Sequence, residues 1–84
     1  PKSARYHAYY GKALSADEKK QHKAESEMQT AIRIDQNDPT FRILLAEFFI
    51  EKNLLKRAEG ELNRLLAMSP DNREAHNLLN SLKS

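Results

Sequence analysis

The sequence predicts an all-α fold, an α-solenoid of antiparallel helix pairs, and two observations support this prediction. Apolar residues recur at three- and four-residue steps along five segments, as they do in amphipathic helices. Apolar positions also repeat at one fixed interval, the interval that separates Leu45 from Leu79. A period of roughly 34 residues within helical patterns is typical of stacked helix-turn-helix repeats. Five helices are therefore expected.

The first two helices follow from apolar periodicity and from one polar turn. The first is expected from Ser3 to Leu14. Its apolar positions are Tyr6, Tyr9, Tyr10, Ala13 and Leu14. Ser15 stands three residues before Glu18, which is capping-box spacing, so the second helix is expected to begin at about Ala16. Its packing face consists of Ala24, Met28, Ala31, Ile32 and Ile34.

The third helix is expected to be the buried middle element of the stack. Asp38 precedes Pro39, an N-cap followed by a proline at the first helical position. Apolar residues cover most of the circumference of this helix, as in helices buried between others. Asn53 is expected to end it, because asparagine tolerates the left-handed conformation.

The fourth helix is expected from Leu54 to Met68 and the fifth from Arg73 to Leu82. In the fourth, the inward positions are Leu55, Ala58, Leu62, Leu65, Leu66 and Met68, and the outward ones are Lys56, Arg57, Glu59, Glu61, Asn63 and Arg64. Gly60 indicates either a close helix contact or an ordinary surface glycine. Asn72 follows Asp38 by the same repeat interval and is expected to take the same capping role.

The spaced residues resemble the tetratricopeptide repeat family. In the middle repeat the matching positions are Leu45, Ala46, Phe49, Ala58, Leu62, Leu65, Leu66 and Pro70; in the first they are Tyr10, Gly11, Leu14, Ala24, Met28, Ala31 and Ile32. The early aromatic of the family is replaced by His7, Arg42 and His76. The resemblance implies a single domain, a right-handed solenoid of about two and a half repeats.

The repeat boundaries are expected at residues 4–38, 39–72 and 73–83. Gly11 and Ala46 are small because the two helices of a pair approach most closely there. Asn80 occupies the equivalent position in the third unit, which fits a capping helix with a polar outer face. An ordinary repeat interrupted at the chain end is the alternative.

Composition and residue spacing argue against catalysis and against a cofactor. The 84 residues include no cysteine, which removes thiolate metal sites and cysteine nucleophiles. Three histidines lie in three different predicted helices without ligand spacing, so no metal is expected. No run approaches the roughly 18 apolar residues of a membrane span, so no membrane insertion is expected. A cytoplasmic location is expected, since the sequence has no cysteine and no signal-like or membrane-spanning segment. Because the chain begins with Pro1 and not with Met, it is expected to be part of a larger protein.

The resemblance implies that the first helix of each pair lines a concave groove for a protein partner. The corresponding positions here are Arg5, Ala8, Tyr9, Lys12, Thr40, Ile43, Glu47, Ile50, Glu74, Asn77 and Ser81. Ile43, Glu47 and Ile50 share one helix face and suit a peptide or helix with an apolar anchor and a basic neighbour. The alternative is that neighbouring helices bury both isoleucines.

These observations predict a non-catalytic scaffold that binds a peptide or helix of another protein. A structural role by self-association, as a dimerising or spacing element, is the second hypothesis. RNA binding by a related helical repeat is the third. A net charge of +2 is too balanced to indicate a nucleic-acid partner.

Overall fold

The computed structural model describes residues 3–83, which form five α-helices and one short 3-10 helix and contain no β-strand. The elements are α1 (Ala4–Leu14), the 3-10 helix (Glu18–Lys20), α2 (Gln21–Ile34), α3 (Pro39–Glu51), α4 (Leu55–Met68) and α5 (Arg73–Leu82). Each α-helix packs against the next one along the chain, and α1 also contacts α3. The predicted all-α class and the number of helices are confirmed.

Side-chain caps begin three of the five α-helices. The Asp38 carboxylate accepts a hydrogen bond of 2.9 Å from the Thr40 N–H, and Pro39 occupies the first turn of α3. The Asn72 side chain accepts one of 2.8 Å from the Ala75 N–H. The two predicted caps, at equivalent positions of successive repeats, are therefore both present. Each satisfies an N–H group that the helix itself leaves without a partner.

The predicted start of the second helix is wrong. Ser15 has helical backbone angles and its N–H donates to Gly11 O at 3.0 Å, so it still completes α1. An N-cap needs an extended backbone, which Ser15 therefore cannot supply. Asp17 has that backbone and accepts from the Lys19 N–H at 2.9 Å, which begins the 3-10 helix. The α-helix itself starts only at Gln21.

Helix α3 ends where the sequence predicts, in a left-handed turn at Asn53. Asn53 has φ of 61°. Its N–H donates to Ile50 O at 2.9 Å, and the next N–H, of Leu54, donates to Phe49 O at 2.8 Å. This pair of bonds is the Schellman arrangement, which satisfies the last carbonyls of a helix. The chain then reverses directly into α4.

The hydrophobic core lies on both sides of α3. One cluster joins α3 to α1 and α2 and includes Phe41, Leu45 and Phe49. The other joins it to α4 and α5 through Ile43 and Ala46. As the sequence predicts, α3 is the buried middle element, and its buried residues are Phe41, Ile43, Leu44, Leu45, Ala46, Phe48 and Phe49.

Several apolar residues that were expected to face inward are exposed. In α1 the buried residues are Ala4, Ala8 and Gly11, whereas Tyr6 and Tyr9 are each 42% exposed. The backbones of α1 and α2 approach too closely for aromatic rings to lie between them. At the ends of helices, beyond the reach of the neighbouring helix, the exposed residues are Ile34, Leu55 and Met68.

The two glycines occupy opposite environments, which predicts opposite effects of adding a methyl group. A Cβ at Gly11 would lie 2.8 Å from the backbone oxygen of Ala24, so α1 and α2 would have to separate. At Gly60 the nearest atom would be the flexible Arg64 guanidinium at 3.6 Å. We expect Gly11→Ala to lower the free energy of unfolding by about 1 to 3 kcal/mol. Gly60→Ala should raise it by about 1 kcal/mol through helix propensity.

Urea-induced unfolding of both variants, followed by circular dichroism, measures this difference. An equal change in both variants would contradict the close contact of α1 with α2. Gly60 is accordingly a surface glycine, the second of the two interpretations that the sequence left open.

Candidate functional site

The predicted groove positions on α1 lie at the surface. Arg5, Tyr9 and Lys12 are all exposed. The Arg5 guanidinium carbon lies 5.6 Å from the centre of the Tyr9 ring, within the range of a cation–π contact. Ala8, by contrast, is fully buried and belongs to the core. The predicted groove positions on α1 thus present one aromatic ring and two cations at the surface.

The predicted positions on α3 divide between surface and core. Ile43 is only 6% exposed and packs in the cluster formed with α4 and α5. Burial by neighbouring helices, the alternative that the sequence left open, therefore applies to Ile43. Ile50 and Glu47 are half-buried, and Thr40 is exposed. Among the α3 positions, Glu47 and Ile50 are the ones that combine partial burial with partial access.

The predicted positions on α5 are exposed. Glu74 lies in the first turn, and Asn77 and Ser81 follow one and two turns later. The Ser81 hydroxyl donates a hydrogen bond of 2.8 Å to Leu78 O of its own helix. These side chains are free to contact a second molecule without breaking the core.

Charged side chains of α1, α3 and α5 all influence the pKa of Glu47. Partial burial raises the pKa of the Glu47 carboxyl above its ordinary value, and the negative charge of Glu74 raises it further. Lys12 opposes this shift, and Glu51 adds to it. Within residues 3–83, Glu47 makes no hydrogen bond or ion pair. Side chains of α1, α3 and α5 therefore share one surface, which is acidic around Glu47 because the carboxylates of Glu51 and Glu74 outnumber the Lys12 cation.

A second polar cluster lies in the core between α3 and α4, and it corrects a sequence prediction. Glu61, expected to face outward, is only 7% exposed. Its carboxylate accepts hydrogen bonds from Arg42 at 3.1 Å and from Arg64 at 2.8 Å. The Arg42 side chain is itself only 12% exposed. Burial of Glu61 is possible because these two cations replace the water that a carboxylate otherwise requires.

The first helix pair contains an equivalent polar contact. His7 Nδ1 lies 2.6 Å from the Glu27 carboxylate. Glu27 precedes Glu61 by the repeat interval, so the two carboxylates occupy equivalent positions. His7 and Arg42 are the residues that replace the early aromatic of the tetratricopeptide pattern. A signal for both contacts was thus present in the sequence: a basic residue occupies the early aromatic position of the family, and a carboxylate follows it 20 residues later in the first repeat and 19 residues later in the second.

The described residues hold no cluster that suggests a metal site. In residues 3–83, no three histidine, aspartate or glutamate side chains gather closely enough to ligate an ion. The His76 ring instead contacts Pro70 O at 2.7 Å and fixes the turn before α5. Across the same residues, each helix is too short or too polar to cross a bilayer.

Consecutive helix pairs that pack only on their neighbours define a helical-repeat protein. The family model described as tetratricopeptide repeat matches residues 15–82, so the chain belongs to the tetratricopeptide repeat family. Repeats of this family generally mediate protein–protein interaction. No curated protein and no solved structure matches the chain.

Proposed function

We propose that this domain is a non-catalytic scaffold that binds a peptide or helix of a protein partner on the surface shared by α1, α3 and α5. The observation that carries the proposal is Glu47, a partly buried carboxylate that makes no ion pair or hydrogen bond within residues 3–83 and whose pKa is raised. A cation from a partner would supply a counter-charge. Charge-assisted hydrogen bonds of this kind are among the stronger polar contacts at interfaces.

The chemistry of the surrounding surface specifies the partner further. Tyr9 of α1 and the accessible part of Ile50 of α3 offer apolar contact on this surface. Glu51 and Glu74 add negative charge nearby. A segment with one apolar anchor and an adjacent lysine or arginine fits this surface, because potentials of opposite sign favour association and exclude acidic competitors.

Ile43 has a different role in this proposal. Because Ile43 is buried against α4 and α5, it holds α3 against these two helices and does not contact the partner. A charge at this position would disrupt the core and would test folding, not binding. Binding is better tested at Glu47, whose side chain reaches solvent.

The test is charge reversal at Glu47 with a labelled amphipathic peptide rich in leucine and lysine as the probe. We expect Glu47→Lys to weaken binding at least about tenfold, which corresponds to about 1.4 kcal/mol. In the native protein, the affinity should fall as the pH decreases through the raised pKa of Glu47, since only the carboxylate attracts a cation. Fluorescence anisotropy across a pH series measures both effects.

Glu59→Lys is the matched control, because Glu59 is exposed on α4 and the substitution changes the net charge by the same amount. It should leave the affinity within about twofold. Equal weakening by the two variants would show that the peptide senses only the overall charge, and the assignment of the surface would be wrong.

A further inference from the structure

A cationic cavity opens on a different part of the molecule, between α2, α3 and α4. Its volume is about 550 Å³. Five of its lining side chains are cationic, namely Arg33, Arg42, Lys56, Arg57 and Arg64. The one carboxylate that lines it is Glu61, so four positive charges are in excess. This imbalance contrasts with the near neutrality of the whole chain.

The existing ion pairs use only part of this charge. Glu61 binds Arg42 and Arg64, and Arg57 pairs with Glu25 of α2. Arg33 and Lys56 have no carboxylate partner among residues 3–83. They belong to different helices, so their positive charges border the cavity from α2 and from α4.

One of the lining arginines, Arg42, also has an unused hydrogen-bond donor. The Nε–H group of Arg42 is buried and has no acceptor within residues 3–83. A buried donor without an acceptor costs free energy, typically about 1 to 3 kcal/mol.

We propose that this cavity binds carboxylate side chains of an acidic segment in a protein partner. Carboxylates match the planar guanidinium groups in charge and in hydrogen-bond geometry. The site lies apart from the acidic surface of α1, α3 and α5, so the two sites are tested independently. One partner with oppositely charged segments, or two partners, could then occupy the domain together.

An acidic peptide fits the cavity better than a nucleic acid does. Nucleic-acid binding without sequence preference uses a basic groove that follows the backbone, with aromatic rings free for bases to stack upon. Phe49 is the aromatic residue that lines this cavity, and it is almost fully buried beneath the Arg57 guanidinium, 4.3 Å above its ring.

The test compares two charge-reversal variants of equal net charge. Arg33→Glu with Lys56→Glu removes the two cations that have no carboxylate partner. Lys19→Glu with Lys20→Glu changes two exposed lysines of the 3-10 helix and is the matched control. The probe is a fluorescent glutamate-rich peptide, and its dissociation constant is measured by anisotropy at low and at physiological salt. Circular dichroism verifies that both variants are folded.

We expect the cavity variant to weaken binding of the glutamate-rich peptide at least about tenfold and the control less than about twofold. Equal weakening by both variants, or no measurable binding to the native chain, would overturn the proposal. Tighter binding of a single-stranded oligonucleotide, weakened by the same cavity variant, would also overturn it and assign the cavity to nucleic acid.

Discussion

We expect the substitution Glu61→Ala to lower the free energy of unfolding by about 3 to 5 kcal/mol. The Glu61 carboxylate is the acceptor that compensates the buried Arg42 guanidinium, and its removal leaves that charge in the core without a counter-ion. Arg64 would lose the same partner at less cost, because it is largely exposed. Since small domains are stable by only about 5 to 15 kcal/mol, the variant should approach the limit of folding. Urea-induced unfolding measures the change.

Two further variants separate the buried charge from a general effect of altering α4. Glu59→Ala, on the exposed side of the same helix, should change stability by no more than about 0.5 kcal/mol. Replacing both Glu61 and Arg42 by leucine should recover much of the loss, since no unpaired charge then remains in the core. If the double variant were no more stable than Glu61→Ala, an uncompensated Arg42 could not be the cause.

We expect Phe49→Ala to be equally severe and to cost about 3 to 5 kcal/mol. Phe49 is 1% exposed and packs in the cluster that joins α3 to α1 and α2. Truncation would remove the apolar contacts of the ring and leave a void that the surrounding helices cannot close completely. It would also deprive the Arg57 guanidinium of the ring on which it rests. Thermal and urea unfolding both report this loss.

Tyr9→Ala is the control variant for Phe49→Ala. Both substitutions remove an aromatic ring, but Tyr9 on α1 is 42% exposed and is not part of the core. Its loss should cost less than about 1 kcal/mol, in the range of surface substitutions. Similar destabilisation by Tyr9→Ala and Phe49→Ala would mean that the α1 tyrosines are buried, contrary to the structure.

Much of the fold could be predicted because the same pattern of apolar and capping residues recurs in successive repeats. The repeat interval indicates which apolar residues share an environment, and Leu45 and Leu79 are indeed both buried. The caps at Asp38 and Asn72 and the left-handed turn at Asn53 depend on short-range chemistry that a local sequence contains in full. Predicting these features does not depend on how the helices pack against one another.

Apart from the start of α2, which depends on the local backbone at Ser15, the wrong predictions depend on distances between helices. Periodicity identifies Tyr6 and Tyr9 as candidates for a buried stripe, but the small residues of α1 let α2 approach instead. The polar character of Glu61 suggested an outward position, because its cationic partner Arg42 lies on another helix. The candidate groove was predicted from family positions, and two of its apolar residues, Ala8 and Ile43, lie in the core.

The nearest-neighbour packing of the helices has a consequence for how the domain assembles. Most native contacts join segments that are close along the chain, and such topologies fold rapidly, on timescales of about microseconds to milliseconds. Because α1 packs mainly on α2, and the N-terminal part of a chain is synthesised first, we expect these two helices to meet before α4 and α5 join them. The apolar face that α1 and α2 leave exposed is then covered by α3.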